Sequence, residues 1–445
     1  MEELRLKRRA ASLATGMLVF LAPVAARAQE NAIDSGDTAW MLISTALVLM
    51  MTGPALAFFY GGLVRAGNVL SVFMQCLVCM AAISVLWVIV GYSLAFGSAP
   101  NAGVNAWVGG LAHIGLAGVG LEPLPGGTIP ALLFMAYQGT FAIITPALIV
   151  GAFAERMKFS AFLLFTLLWS LLIYSPLCHW VWGGGWLMSR GALDFAGGTV
   201  VHISSGISAL VAALLIGRRR GYGHEPLPPH NLPFTVAGAA LLWVGWFGFN
   251  AGSALAANGT AVLAFVTTNT AAAAATLAWI AIEWITRGKP TVLGAASGVV
   301  AGLVAITPAA GFVSPGSALL IGAGAGVLCF YGIRIKEMLG ADDALDVVGV
   351  HGVGGTWGAL ATGIFAETAL NPAGRDGLLA GNPGQIWIQL EAVLATVVFC
   401  GVGAFVLLKL VDALVGLRVS EEGERAGLDL GEHSERAYML GSIAD

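Results

Sequence analysis

Long apolar runs separated by short polar or glycine-rich stretches are the main pattern of this chain. They recur from Asp37 to the region of Asp412, and each holds roughly the 20 residues that a helix needs to cross about 30 Å of hydrocarbon. About eleven are present, over 38–64, 68–96, 129–153, 159–180, 197–217, 233–252, 259–286, 291–309, 316–336, 345–366 and 386–416. The pattern predicts an all-α membrane protein with about 11 transmembrane helices.

Basic residues test this count independently, because loops that stay in the cytoplasm carry the positive excess. If the mature N-terminus is outside, alternate loops place 14 of the 21 Lys and Arg inside, with Arg190 and Arg375 outside and five in the N-terminal segment. The inside set is Arg65, Arg156, Lys158, Arg218, Arg219, Arg220, Arg287, Lys289, Arg334, Lys336, Lys409, Arg418, Arg425 and Arg436. We therefore expect an N-out/C-in topology with a cytoplasmic tail.

A weak internal sequence similarity indicates that the spans form two halves. Ten spans divide into two groups of five, and an odd number per group makes the second group run inverted relative to the first. The stretch 198–202 reads GTVVH in the fifth span, and 347–351 reads VVGVH in the tenth. We expect two inverted five-helix repeats plus a final long helix, with His202 and His351 meeting near the midplane.

The N-terminus has the composition of a secretory signal. A basic cluster at 7–9 precedes the apolar run 14–24, and the stretch ends in Ala26-Arg27-Ala28. We interpret 1–28 as a cleaved signal peptide in preference to an extra helix, 29–417 as the transmembrane domain and 418–445 as the cytoplasmic tail. Export of a bacterial type predicts a multi-pass protein of the cell inner (cytoplasmic) membrane.

Composition agrees with a bilayer as the solvent. The 445 residues are 58% hydrophobic and 10% charged, and the 61 glycines suit helices that pack closely in lipid. The net charge of −4 without a long basic run excludes a nucleic-acid binder. Cys76 and Cys79 form a CxxC, but no further ligands follow, so core packing is favoured over a metal site.

The two histidines inside apolar spans are the main candidates for chemistry. A neutral imidazole costs little to bury, and its two nitrogens can donate and accept a hydrogen bond. A facing pair suits a small polar molecule or a proton better than a hydrated ion. A ring held by a backbone carbonyl remains the alternative for each histidine alone, and a metal site is disfavoured because no carboxylate or thiolate lies at ligand spacing.

Aromatic residues cluster near the predicted outer ends of the spans, at Phe134 and 137–141, at Trp180 and Trp182, and at 246–249. Ring faces can hold a cation that has lost its water. Ser253 adds a hydroxyl that can accept a hydrogen bond from an ammonium-like guest.

Carboxylates open the two spans that carry the histidines. Asp194 precedes the fifth span and Asp346 opens the tenth, where a carboxylate can cap helix N–H groups. Direct contact with a cation is the alternative for both residues.

Several stretches of the chain resemble the ammonium transporter (Amt/Mep/Rh) family, and within it the bacterial Amt branch. The most specific is Asp194 to His202, and the others are 137–141, 179–185, 245–253 and 346–352. The resemblance covers nearly all of the mature chain. It implies an ammonium transporter, not an enzyme, that works without a cofactor as a homotrimer with one pore per subunit and is regulated by a PII signal protein at the cytoplasmic face.

The resemblance also implies roles for single residues. Ammonium would be recruited at an outer aromatic site, lose its proton, and pass as ammonia through a hydrophobic pore. The implied roles are recruitment by Phe141, Trp182 and Ser253 with support from Asp194, a gate of Phe141 and Phe249, a pore lined by His202, His351 and Trp246, and a pore-side hydroxyl at Thr307.

Two departures and three rivals bear on this interpretation. Many relatives have glycine in place of Ser434, which weakens the expectation of PII coupling, and Tyr137 stands where phenylalanine is also common. Trp182 argues against a Rh-like gas channel, because Rh-type members generally lack an indole there. A membrane enzyme lacks a catalytic constellation, and a sensor that signals through the tail is the remaining alternative.

Overall fold

The computed structural model describes residues 32–438 as a bundle of helices. No strand occurs within that range apart from two isolated bridges. Eleven helical segments follow one another, α1 to α11: Ser35–Leu63, Ala66–Phe96, Ala131–Phe153, Phe159–Arg190, Gly198–Ile216, Leu232–Ala254, Gly259–Arg287, Val292–Ile306, Pro315–Met338, Val348–Gly352 continued by Val353–Phe365, and Gly384–Val415. The predicted all-α membrane fold is confirmed.

Local signals explain where several helices begin. The side chains of Asp34, Asn258, Thr291 and Ser314 each accept a hydrogen bond from a backbone N–H in the first turn of α1, α7, α8 and α9. Each cap satisfies a donor that has no partner inside its helix. The predicted starts of these four segments therefore lie within a few residues of the observed ones.

The length of α4 differs most from the prediction, and α8 ends earlier than predicted. α4 continues past 180 to Arg190 through a bend at 183–185. α8 has only 15 residues, about 22 Å, which is too short to cross the hydrocarbon alone. It ends at Ile306 and is continued by a buried turn over 307–313. Irregular backbone at such depth is tolerated where protein surrounds it.

The helices differ sharply in exposure. α3 lies at the centre, with 94% of its most apolar window buried. α2 and α11 lie at the periphery, with 33% buried, and present exposed apolar side chains such as Val85 and Val402. Such apolar faces match the lipid-facing surface of a membrane protein.

α5 and α10 cross at their glycines. A Cβ added at Gly206 would lie 2.4 Å from the backbone nitrogen of Gly352, and one added at Gly355 would lie 2.9 Å from the Cβ of His202. Larger side chains would force these helices apart. The close crossing holds together the two helices that carry His202 and His351.

Residues 418–438 dock on one end of the bundle, called the tail end below. Two short helices, Glu421–Ala426 and Leu428–His433, follow in this tail, and the second contacts the start of α2: Leu428 N–H donates to Asn68, and Ser71 N–H donates to Asp429. Arg418 and the backbone of Arg220 bind Glu424. The predicted signal peptide, 1–28, lies outside the described residues.

Buried ion pairs join the loops of the tail end. Glu155 binds Arg65 at 2.9 Å and Arg219 at 3.3 Å, and Arg219 also binds Asp342 at 2.9 Å. The carboxylates of Glu155 and Asp342 are fully buried. These loops precede α2, α4, α6 and α10, so the network connects both halves of the chain beneath the tail.

Candidate functional site

His202 and His351 face each other at the centre of the bundle. Their Nδ1 atoms are 3.2 Å apart, and the residues are 1% and 4% exposed. At that distance one ring donates and the other accepts, so the two Nδ1 atoms satisfy each other without a fixed charge. Nε2 of His202 is buried and has no partner within the described residues. A guest with a polar hydrogen or a lone pair can bind there.

Aromatic rings cover the side of the pair that faces away from the tail end. The Trp246 and Phe249 rings stack on His202, with centroids at 5.5 Å and 6.1 Å. Phe249 in turn lies against Phe141 at 4.3 Å, and Phe141 meets Trp182 edge-on at 5.8 Å. The Phe141 and Phe249 rings therefore close the route between the histidines and that face.

Three cavities adjoin this cluster. The outer cavity, of about 200 Å³, is lined by residues that include Gln138, Phe141, Trp182 and Ser253. The central one, about 10 Å³, touches both histidines, and the third, about 130 Å³, opens from His351 toward the tail end. The central space holds at most one very small molecule. The arrangement is a narrow path interrupted by the phenylalanine pair.

Ser253 and Gln138 supply polar atoms to the outer cavity. Ser253 Oγ donates to the Phe249 carbonyl oxygen at 2.9 Å, which leaves its lone pairs free to accept. Oε1 of Gln138 is buried without a partner among the described residues. The cavity thus combines ring faces with hydrogen-bond acceptors, as a small cation requires.

Asp194 caps the helix that carries His202. Its carboxylate accepts hydrogen bonds from the N–H groups of Gly197, Gly198 and Thr199 at 2.6 to 2.7 Å, and from the Thr199 hydroxyl. Its carbonyl oxygen accepts from the Trp182 indole at 2.8 Å. Burial raises the pKa of the carboxyl, while these donors act in the opposite direction. Both oxygens are used by the cap, and Asp194 is absent from the lining of the outer cavity.

Thr307 contacts the path only indirectly, by holding the Trp246 side chain. Its hydroxyl oxygen accepts from the Trp246 indole at 2.9 Å and donates to the Leu303 carbonyl oxygen at 2.7 Å. The break at the end of α8 places it there. Thr307 therefore fixes the indole that stacks on His202 and does not itself line any of the three cavities.

Asp343, which the sequence reasoning did not single out, caps the second histidine helix. Asp343 Oδ2 accepts from Val348 N–H at 2.7 Å, whereas Asp346 pairs with Lys336. The cap at the tenth span thus belongs to Asp343. Asp343 lies eight residues before His351, as Asp194 does before His202. The equal spacing between aspartate and histidine in the two halves is the sequence signal that could have identified Asp343 as the cap.

The two histidines and Phe249 lie on π-helical turns. His202 belongs to Gly198–Ile203, Phe249 to Phe247–Ala251, and His351 to Val348–Gly352. Such turns are rare, and they occur often at functional sites. Sequence periodicity gave no sign of them.

The Asp343 carboxyl predicts a pH effect on stability. Burial raises its pKa from 3.8 to about 7, with Lys336 lowering it and Asp346 raising it. Between about pH 4 and pH 7 the unfolded chain is ionised while the folded one stays protonated, so stability falls as pH rises through that window. We expect the thermal midpoint of the detergent-solubilised protein to fall more from pH 5 to pH 7 than that of Asp343→Asn.

Asn keeps an acceptor for Val348 N–H and cannot ionise. Asp412→Asn is the matched control, because Asp412 accepts from Leu417 N–H on the exposed side of the same end. It should keep the slope of the unaltered protein. Equal slopes for all three proteins would contradict the assignment.

Comparison with known proteins adds independent information. A family model described as the Ammonium Transporter Family matches residues 39–438. An ammonium transporter of Bacillus subtilis (strain 168) is 54% identical over 409 residues, covering 92% of this chain and 99% of that protein. Saccharomyces cerevisiae Mep2 has a similar crystal structure, with TM-score 0.81, 36% identity and coverage of 87% and 91%. A sensor Amt protein gives TM-score 0.82 at 29% identity, covering 89% and 98%.

Proposed function

We propose a mechanism for this chain, which belongs to the ammonium transporter family. It recruits ammonium at the outer cavity and passes ammonia between His202 and His351. The observation that carries the proposal is the histidine pair itself. It is the polar lining of a central space of about 10 Å³ that is otherwise bordered by apolar and aromatic side chains.

Recruitment combines rings with an acceptor. The faces of Phe141 and Trp182 attract a cation, and Ser253 Oγ accepts one of its N–H groups. Gln138 Oε1 offers a second acceptor. Asp194 supports this site from behind, because it holds Trp182 through its carbonyl oxygen and the His202 helix through its carboxylate.

The central space selects by protonation state. Ammonium and potassium are similar in size and charge, but only ammonium can release a proton, to water or to the facing rings of His202 and His351, and become neutral. An uncharged guest passes the Phe141 and Phe249 rings at low desolvation cost, whereas potassium carries its charge into an apolar space. His202 and His351 then replace the hydrogen bonds that ammonia loses when it leaves water.

Orientation and assembly are further parts of the proposal. The tail end is the cytoplasmic side of the inner membrane, in agreement with the Arg-rich loops that meet there. The assembly is a homotrimer with one path per subunit. The leader 1–28 is removed on export, 29–417 spans the membrane, and 418–445 forms the tail.

PII binding would take place at the tail end. The docked tail contacts Arg220 and His230 of the loop 217–231, which also lines the cavity of about 130 Å³, where a protein loop can close the path. Ser434 ends the second tail helix with φ 56°, a conformation that suits glycine better. This chain therefore retains the tail fold with a residue that strains it.

Electrical recording tests the function directly. Purified protein in proteoliposomes on a solid-supported membrane is exposed to a pulse of ammonium and then of potassium. We expect a current or an internal pH change with ammonium and none with potassium. Equal responses to both ions, or no response to ammonium in vesicles that contain folded protein, would contradict transport.

A sensor role is the second candidate, favoured by the likeness to a sensor Amt protein and by the docked tail. Ammonium binding without charge movement or pH change, accompanied by altered protease cleavage in 418–438, would favour it.

A further inference from the structure

The hydroxyl of Tyr137 lies where the outer cavity meets the gate rings. Tyr137 is fully buried, and its Oη is 2.9 Å from the Gly248 carbonyl oxygen and 2.8 Å from that of Phe249. The same oxygen is 3.3 Å from Ser253 Oγ. One hydroxyl therefore contacts the backbone that carries a gate ring and the side chain proposed to accept ammonium.

Tyr137 also contacts the other half of the gate. It lies one turn before Phe141 on α3, and the two rings meet edge-on with centroids 5.1 Å apart. Phe141 and Phe249 belong to different helices, α3 and α6. Tyr137 connects these helices at the gate: its ring packs against Phe141 on α3, and its hydroxyl bonds the backbone of α6.

The positions of the hydroxyl protons determine whether Ser253 Oγ donates or accepts a hydrogen bond. Ser253 donates its proton to the Phe249 carbonyl oxygen, so its lone pairs remain available. Tyr137 has one proton, which the two carbonyl oxygens at 2.8 and 2.9 Å attract more strongly than Ser253 Oγ at 3.3 Å. With both protons bound by the backbone of 247–251, the Ser253 oxygen can only accept.

We propose that the Tyr137 hydroxyl is a positioning group that presents Ser253 as an acceptor for ammonium and fixes Phe249 against Phe141. The inference rests on the proposed recruitment of ammonium at this cavity. The Tyr137 hydroxyl should affect the apparent affinity for ammonium rather than the maximal rate. It contacts Ser253 of the outer cavity and does not line the central cavity.

The π-helical turn makes this support necessary. Residues 247–251 form a turn in which hydrogen bonds skip one residue further than in an α-helix, so its carbonyl groups are less regularly paired. The Tyr137 and Ser253 hydroxyls both donate to Phe249 O. Removing one leaves the carbonyl with one donor, and the turn and Ser253 can then rotate.

Tyr137→Phe deletes this hydroxyl and keeps the ring. We expect the half-saturating ammonium concentration, measured as above on full-length protein, to rise about fivefold, the loss expected for one buried hydrogen bond. The maximal current should change less than about twofold. Tyr92→Phe is the matched control: Tyr92 is a buried tyrosine of α2 that packs on Phe96, and its hydroxyl makes no hydrogen bond within residues 32–438.

A second variant disturbs the same hydroxyl from the other side. A Cβ at Gly252 would lie 2.7 Å from Tyr137 Oη and 2.8 Å from the Cβ of Ser44, so Gly252→Ala should displace both side chains and also raise the half-saturating concentration. A double-mutant cycle then tests whether Tyr137 acts through Ser253. In the background of Ser253→Ala, Tyr137→Phe should raise the half-saturating concentration less than about twofold further.

Two outcomes would overturn the inference while leaving transport intact. One is an unchanged half-saturating concentration in both Tyr137→Phe and Gly252→Ala. The other is a full multiplicative effect of Tyr137→Phe when Ser253 is already alanine. If the unaltered protein moves no ammonium at all, it is the proposed function that fails, and the wild-type recording separates the two cases.

Discussion

Replacing His202 or His351 with alanine is expected to lower the ratio of ammonium to potassium current by about tenfold or more. Each imidazole borders the central space of about 10 Å³, and its removal makes room for water beside the remaining ring. A hydrated passage lowers the cost of a charged ion, so potassium gains more than ammonium does. Currents recorded with each ion at equal concentration give the ratio.

Assembly should be affected much less than selectivity. The two helices are held by the close backbone contact of Gly206 with Gly352, which alanine at 202 or 351 does not alter. His113→Ala is the matched control, because that ring lies in the loop 97–130 and bonds only Ala117 within the described residues. Unaltered ammonium currents without new potassium current in both variants would remove the histidines from the mechanism.

The succession of helices was predictable because lipid imposes a simple rule. Backbone groups in hydrocarbon must be satisfied inside each segment, so long apolar runs become helices. Caps such as Asn258 and Ser314 mark starts that can be read directly. The predicted end of α8 at 309 ran past Pro308, although a proline is a helix-stop signal, and the helix ends at Ile306.

The histidine pair was predictable from its position in matching spans, and its surroundings were not. The π-helical turns at 198–203 and 348–352 depend on tertiary contacts that no periodicity records. The role of Asp343 required knowing that Asp346 is already paired with Lys336. Likewise, the three contacts of the Tyr137 hydroxyl join residues more than a hundred positions apart. Sequence spacing is informative only along one helix.

Asp194→Ala is expected to abolish transport and to lower stability by about 3 kcal/mol or more. The carboxylate binds three backbone N–H groups and the Thr199 hydroxyl, and each buried donor left without a partner costs about 1 to 3 kcal/mol. The start of the His202 helix would then fray, and Trp182, held by the Asp194 carbonyl oxygen, would lose its position. Thermal unfolding in detergent measures the first effect, and ammonium currents measure the second.

Asp194→Asn distinguishes a helix-capping role of Asp194 from direct contact with the cation. Asn keeps one oxygen for the N–H groups but loses the charge, so a capping role predicts a smaller loss of stability than alanine causes, with residual transport. Contact with the cation predicts instead a nearly unchanged thermal midpoint and a large rise in half-saturating ammonium. Asp376→Ala is the matched control, because that carboxylate accepts the N–H and hydroxyl of Thr368 in the loop 366–383 and should affect neither measurement strongly. Since both Asp194 oxygens already bind the helix start, we expect the capping result.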